Sequence, residues 1–277
     1  MPTPPPNDQP PAIRIGAVSY LNSRPLTLCL ADLAPGARIV LDLPSRLADG
    51  LSAGRLDVAL VPSIEYARHD GCTIVSDACV ACDGPVRSVK LYSRVPIERI
   101  ETLALDEGSR TSVALARILL KERFGLEPKL EPLAIGSTFE TSGADAAVLI
   151  GDRGMQPVDG QFTTEWDLGE EWSRWTGLPF VFAMWIARPG VELHRVDLAL
   201  AAARDQGVRR LPEIARREAP LLGIDENECL EYLRDNLRFR LGDREIEGLK
   251  RFYELAQRHH LVPAGVELAF YDQPTTR

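Results

Sequence analysis

Between Ile13 and Arg68, extended runs and helix signals alternate three times, which constrains the fold more than any other feature of the chain. Ile13–Val18 is a short β run. Pro25 suits the first turn of a helix, with Asn22 or Ser23 as its cap. Arg38–Leu43 is a second strand. Ser45 then caps a helix whose Leu47 and Leu51 lie one turn apart, and Gly54 ends it. Asp57–Val61 is a third strand, broken by Pro62, and Ser63 caps a short helix running to Arg68. Strands alternating with helices predict a largely parallel sheet with helices on its faces, to which Thr73–Val80 and Val86–Ser93 add two strands.

A second unit of similar grammar follows. Thr102–Leu105, Leu130–Ile135, Ala146–Ile150 and Phe180–Ala187 read as strands. Thr111–Phe124 is a helix with Leu115, Ile118 and Leu119 on one face, and Glu170–Thr176 is a shorter one. The remainder is helical: Val196 to about Arg217, Asp225–Asn236 and Asp243–His259. Three closing helices need an earlier sheet to cover. The 277 residues are therefore expected to form two α/β lobes, one of 13–93 plus 188–277 and one of 94–187, joined by two crossovers. Met1–Ala12, with six prolines and no apolar run, reads as a disordered tail rather than a signal peptide.

Composition excludes several classes of function. With 32 basic and 40 acidic residues the net charge is −8, which argues against nucleic-acid binding and makes any anion site local. No apolar run is long enough to cross a bilayer, so no membrane partner is expected. An odd number of cysteines (29, 72, 79, 82 and 229) without a secretory signal suggests reduced thiols in the cytoplasm. Cys79 and Cys82 lack the further ligands of a zinc site and read as core thiols, so neither metal nor cofactor is expected. Walker A, GxGxxG and HExxH sequences are absent, and none of the four histidines falls in a strand-end loop.

Ligands of two-lobed α/β folds bind beyond the carboxyl ends of the strands. The residues there are Ser19–Asn22, Pro44–Arg46, Pro62–Glu65, Asp106–Ser112 and Gly151–Arg153. Each Ser or Thr taken alone is a helix cap. Five such turns on one side of the sheets describe a cleft suited to carboxylates or phosphates. Glu65, Asp106 and Asp152 are the carboxylates best placed to act as a base, although each also has an ordinary structural role at a turn or helix start. Trp172, Trp175 and Trp185 read as core rather than cleft lining.

The run Ile15-Gly-Ala-Val-Ser-Tyr-Leu-Asn-Ser-Arg-Pro-Leu26 resembles the opening motif of the chorismate dehydratase family of the futalosine route to menaquinone. The resemblance continues through Leu43–Leu47, Asp57–Tyr66, Gly84–Val89, Leu103–Ser112 and Ile150–Asp152, and so spans about residues 13–190. It implies a periplasmic-binding-protein-like type II fold and a cofactor-independent lyase acting on chorismate, a small dianion. Loss of the C3 proton and C4 hydroxyl gives 3-[(1-carboxyvinyl)oxy]benzoate plus water.

Asn22 and Ser88 match the positions that the resemblance associates with catalysis. Neither is a strong base, so the proton falls to the substrate's own enolpyruvyl carboxylate or to a protein carboxylate such as Glu65. Thr111 and Ser112 are expected to hold one substrate carboxylate by backbone N–H groups. Arg46 and Arg110 are possible charge partners, and Ser19, Tyr20, Ser45, Pro62, Ser63, Ser109 and Asp152 complete the expected binding set. The rival readings are the sister enzyme 1,4-dihydroxy-6-naphthoate synthase, for which no cleft histidine is found, and a non-catalytic small-anion binder, for which no export signal is found.

Overall fold

The strand–helix rhythm is realised as two sheets in a computed structural model that describes residues 12–134, 136–156, 158 and 160–271. Of the expected N-terminal tail only Ala12 falls among them. The first segment runs β1 (Arg14–Val18), α1 (Arg24–Thr27), α2 (Leu30–Leu33), β2 (Arg38–Asp42), α3 (Pro44–Ser52), β3 (Val58–Pro62), α4 (Ser63–Tyr66) and β4 (Thr73–Cys82). The middle segment runs β5 (Val89–Ser93), β6 (Thr102–Asp106), α5 (Thr111–Phe124), β7 (Lys129–Leu133), β8 (Ala146–Ile150), α6 (Gly151–Met155), β9 (Thr164–Asp167) and α7 (Leu168–Thr176). The last runs β10 (Phe180–Ala187), α8 (Val196–Arg209), α9 (Leu211–Leu222), α10 (Glu226–Glu231), β11 (Arg238–Arg240) and α11 (Asp243–Arg258).

The first sheet has the order β11-β4-β10-β3-β1-β2 and the second β7-β6-β8-β5-β9. β1 pairs parallel with β2 and β3, as the alternation predicts. β10 instead inserts antiparallel between β3 and β4, so the sheet is mixed. β5 pairs with β8 and β9 in the second sheet. The expected boundaries at 93/94 and 187/188 therefore put β5 and β10 on the wrong lobes. The crossovers lie at 83–88 and 177–179, one strand earlier in each case, because the chain changes sheet before β5 and again before β10.

Burial follows position in the sheets. β3, β8 and β10 are covered on both faces and buried along their whole length, whereas β2 at an edge exposes Arg38 and Leu41. Asp57 ties three strands together. Its carboxylate accepts hydrogen bonds from Arg14 N, Nε and Nη2 at 2.7–2.9 Å and from Arg188 Nε and Nη2 at 3.2 and 2.7 Å.

The helix expected over 196–217 is two. Pro212 lacks an N–H and sits in the first turn of α9, where the helix restarts. The five thiols are buried and unbridged, and burial pushes those of Cys79 and Cys82 well above their ordinary pKa. Among the described residues no helix is long and apolar enough to cross a membrane.

Candidate active site

Between the lobes lies a cavity walled by Val18, Leu60, Val80, Val86, Ile150 and Phe182, with polar groups from both sheets at its rim. Eight of the expected residues line it: Tyr20, Asn22, Pro62, Ser88, Ser109, Arg110, Thr111 and Ser112. About 50 Å³ of the cavity is open, against ~300–1,000 Å³ for a usual ligand pocket, so the lobes stand closed and entry requires them to part.

Pro44 and Pro62 bring two of the five strand-end turns to this cavity, and the other three meet there as well. Tyr20 and Asn22 follow β1, where Ser23 fixes the turn by donating to Val18 O at 2.5 Å and Tyr20 O at 2.8 Å. Tyr20 lies across Gly151, where a Cβ would sit 2.8 Å from the ring and φ is +60°, so glycine is required twice over. Burial raises the Tyr20 phenol pKa, and the Asp106 and Asp152 carboxylates add to the effect.

The third turn is the N-terminus of α5. Its cap residue, Arg110, makes no side-chain cap, which leaves first-turn N–H groups of Thr111 and Ser112 at the cavity. Thr111 Oγ1 instead accepts from Ile64 N of the other lobe at 3.2 Å.

Other expected residues stand away from the cavity, each for a visible reason. Ser63 is fully buried and donates to Val181 O at 2.7 Å. Asp152 accepts from Leu21 N at 3.0 Å, and burial raises its pKa. Ser19 is held by its backbone to Asp42 O, and Ser45 is buried in α3 behind Pro44. Arg46 is 61% exposed and faces Asp42 at 3.5 Å.

Glu65 is 2% exposed and enclosed by two arginines, Arg68 at 2.8 Å and Arg110 at 2.7 Å, and by the His69 ring at 3.4 Å. It is absent from the lining, which corrects its placement as a base facing the ligand. Arg110, the cation in the lining, spends both guanidinium ends on Glu65 and Asp49. Asp106, buried and raised in pKa, accepts from Gly108 N and pairs with Arg153 outside the lining. Trp172 and Trp185 are fully buried core residues, as expected.

Ser88 sits at the end of the first crossover. Arg87 before it takes a left-handed φ of +62°, and Asp167 holds the loop by accepting from Val86 N and Arg87 N. Gly154 of α6 packs so closely that a Cβ would collide with the Ser88 carbonyl oxygen. The buried Ser88 hydroxyl accepts from Tyr232 Oη at 2.8 Å. Sequence reasoning missed Tyr232, which lies in a helical stretch with no local mark of function.

Two α/β lobes closed on a small cavity, with a helix N-terminus at its edge, define a periplasmic-binding-protein-like fold. A protein from Archaeoglobus fulgidus superposes with a TM-score of 0.72 at 15% identity, covering 91% of this chain and 98% of that one. The alkanesulfonate-binding protein of Xanthomonas axonopodis, solved with MOPS, gives 0.64 at 14% identity over 92% and 95%. The aliphatic sulphonate binding protein of Escherichia coli gives 0.60 at 14% over 97% and 99%.

Sequence then narrows the class. The chain belongs to the menaquinone biosynthesis family, whose model matches residues 13–258. It is 33% identical over 258 residues to the chorismate dehydratase of Thermus thermophilus, covering 87% of this chain and 93% of that protein. It is 25% identical over 251 residues to the chorismate dehydratase of Campylobacter jejuni, covering 86% and 94%.

Proposed function

We propose that this chain is a cytoplasmic, cofactor-independent chorismate dehydratase, and that the reaction takes place in the inter-lobe cavity. The observation that carries the reading is chemical. Asn22 and Ser88 share one apolar-walled cavity with the N-terminus of α5, and the described lining holds no carboxylate or imidazole. A site of that composition orients a dianion and supplies hydrogen bonds, but it supplies no base. The base must then come with the ligand, and chorismate brings two carboxylates.

In this account one substrate carboxylate rests on the first-turn N–H groups of α5, where the helix dipole favours negative charge. Asn22 and Ser88 hold the enolpyruvyl carboxylate against the C3 hydrogen. That carboxylate takes the C3 proton, and the electron pair delocalises through the ring double bond onto the ring carboxylate. The C4–O bond breaks, the ring becomes aromatic, and the departing hydroxide recovers the proton as water. The protein's contribution is placement, exclusion of solvent by the closed lobes, and stabilisation of charge on the ring carboxylate.

Asn22→Ala and Ser88→Ala test the reading. Each is expected to lower kcat on chorismate by about a hundredfold or more while chorismate affinity changes by only a few fold. Normal turnover in either variant would remove that residue from the mechanism.

A further inference from the structure

Ser88 comes from the first crossover, and a buried phenol from the C-terminal part of the chain stands against it. Tyr232 is 1% exposed and opens a π-helical turn, Tyr232–Asn236, directly after α10. Wide turns of this kind displace one side chain relative to the helix before it and recur at functional sites. Tyr232 Oη donates to Ser88 Oγ at 2.8 Å, across the junction between the C-terminal helices and the start of β5.

The surroundings of Ser88 fix its backbone by other means: Asp167 on the two preceding N–H groups, the contact with Gly154, and Asn236 Nδ2 donating to Pro85 O at 2.9 Å. The hydroxyl itself is partnered by Tyr232. Ser88 is fully buried, so a hydroxyl without that partner has no bulk water to orient it.

We propose that Tyr232 is a positioning residue for the dehydration, orienting the Ser88 hydroxyl toward the ligand carboxylate. The inference rests on the dehydratase reading for its substrate. A phenol is far more acidic than an alcohol, so Tyr232 donates and Ser88 accepts. The Ser88 proton is thereby left to point into the cavity. Tyr232 touches no reacting atom and acts through Ser88.

Tyr232→Phe keeps the ring and deletes the hydroxyl. Its kcat on chorismate is expected to fall about tenfold or more, with KM within about threefold and an almost unchanged Tm. Added to Ser88→Ala, the same substitution is expected to cost less than about twofold further, because the hydroxyl it orients is already gone. A kcat within about twofold of the parent, or losses that multiply in the double variant, would overturn the proposal.

Crystal structures of the parent and of Tyr232→Phe give a readout free of the substrate assignment. Ser88 is expected to change rotamer in the variant, and an unchanged rotamer would overturn the positioning role. A parent protein that leaves chorismate untouched would instead remove the dehydratase reading, and the rotamer would still judge Tyr232.

Discussion

The residue scale decides who can be the base. Glu65 has the right charge, but its carboxylate is enclosed by Arg68, Arg110 and His69 rather than presented to the ligand. Glu65→Gln is therefore expected to keep kcat within about tenfold of the parent, whereas loss of a true general base costs about 10²–10⁴. Unfolding in urea should show a loss of roughly 2 kcal/mol, since the buried carboxylate's charge is lost to two partly buried arginines.

Asp57 gives a pH signature. Arg14, with Arg188, holds its pKa well below the ordinary carboxylate range. Its contribution to stability is present above the unfolded value of about 3.9 and is lost as pH falls through the depressed folded value. Asp57→Asn should be less stable by roughly 2 kcal/mol at neutral pH, and the difference should begin to shrink below about pH 4 and go on shrinking as pH falls further. An unchanged difference at pH 2–3 would show that the carboxylate's charge is not what stabilises the strands. Ser88 was legible only through the family motif, because no local pattern marks it, whereas Asn22 also fell in a strand-end turn. Tyr232 was not legible at all: its partner lies 144 positions away, and such a contact exists only in the folded chain.

At the scale of elements, local chemistry was readable and non-local pairing was not. β1 to β3, α3, α5 and β8 follow from periodicity, caps and breakers, and α5 ends at Gly125 with a left-handed φ of +71°. The placement of β10 between β3 and β4, and of β5 in the second sheet, depends on partners distant in sequence. β9 and β11 were missed because four- and three-residue strands carry too little pattern. The packing of α6 on β5 supports a sharper prediction. Gly154→Ala forces a methyl against the Ser88 carbonyl, so the helix must shift or the crossover must move. Overpacking of this kind costs about 1–3 kcal/mol, and kcat is expected to fall with stability. A fully active, fully stable Gly154→Ala would show that α6 does not set the position of Ser88.

For the whole molecule, the two lobes are tied across the cleft by Arg110 to Glu65 and Asp49, by Ile64 N to Thr111, and by Leu21 N to Asp152. These contacts close a cavity too small to admit a ligand without opening, and closing again would shield an extended enolate from water. The two-lobed plan was legible from the rhythm of strands and helices, while the closure contacts were not, because each joins residues on opposite lobes.

The account stands or falls on chemistry inside that cavity. The most direct measurement is to mix the purified protein with chorismate in metal-free buffer containing a chelator and to follow the products by mass. The account predicts steady loss of one water and appearance of the aromatic 3-[(1-carboxyvinyl)oxy]benzoate. Chorismate that remains unchanged, bound or unbound, would contradict it.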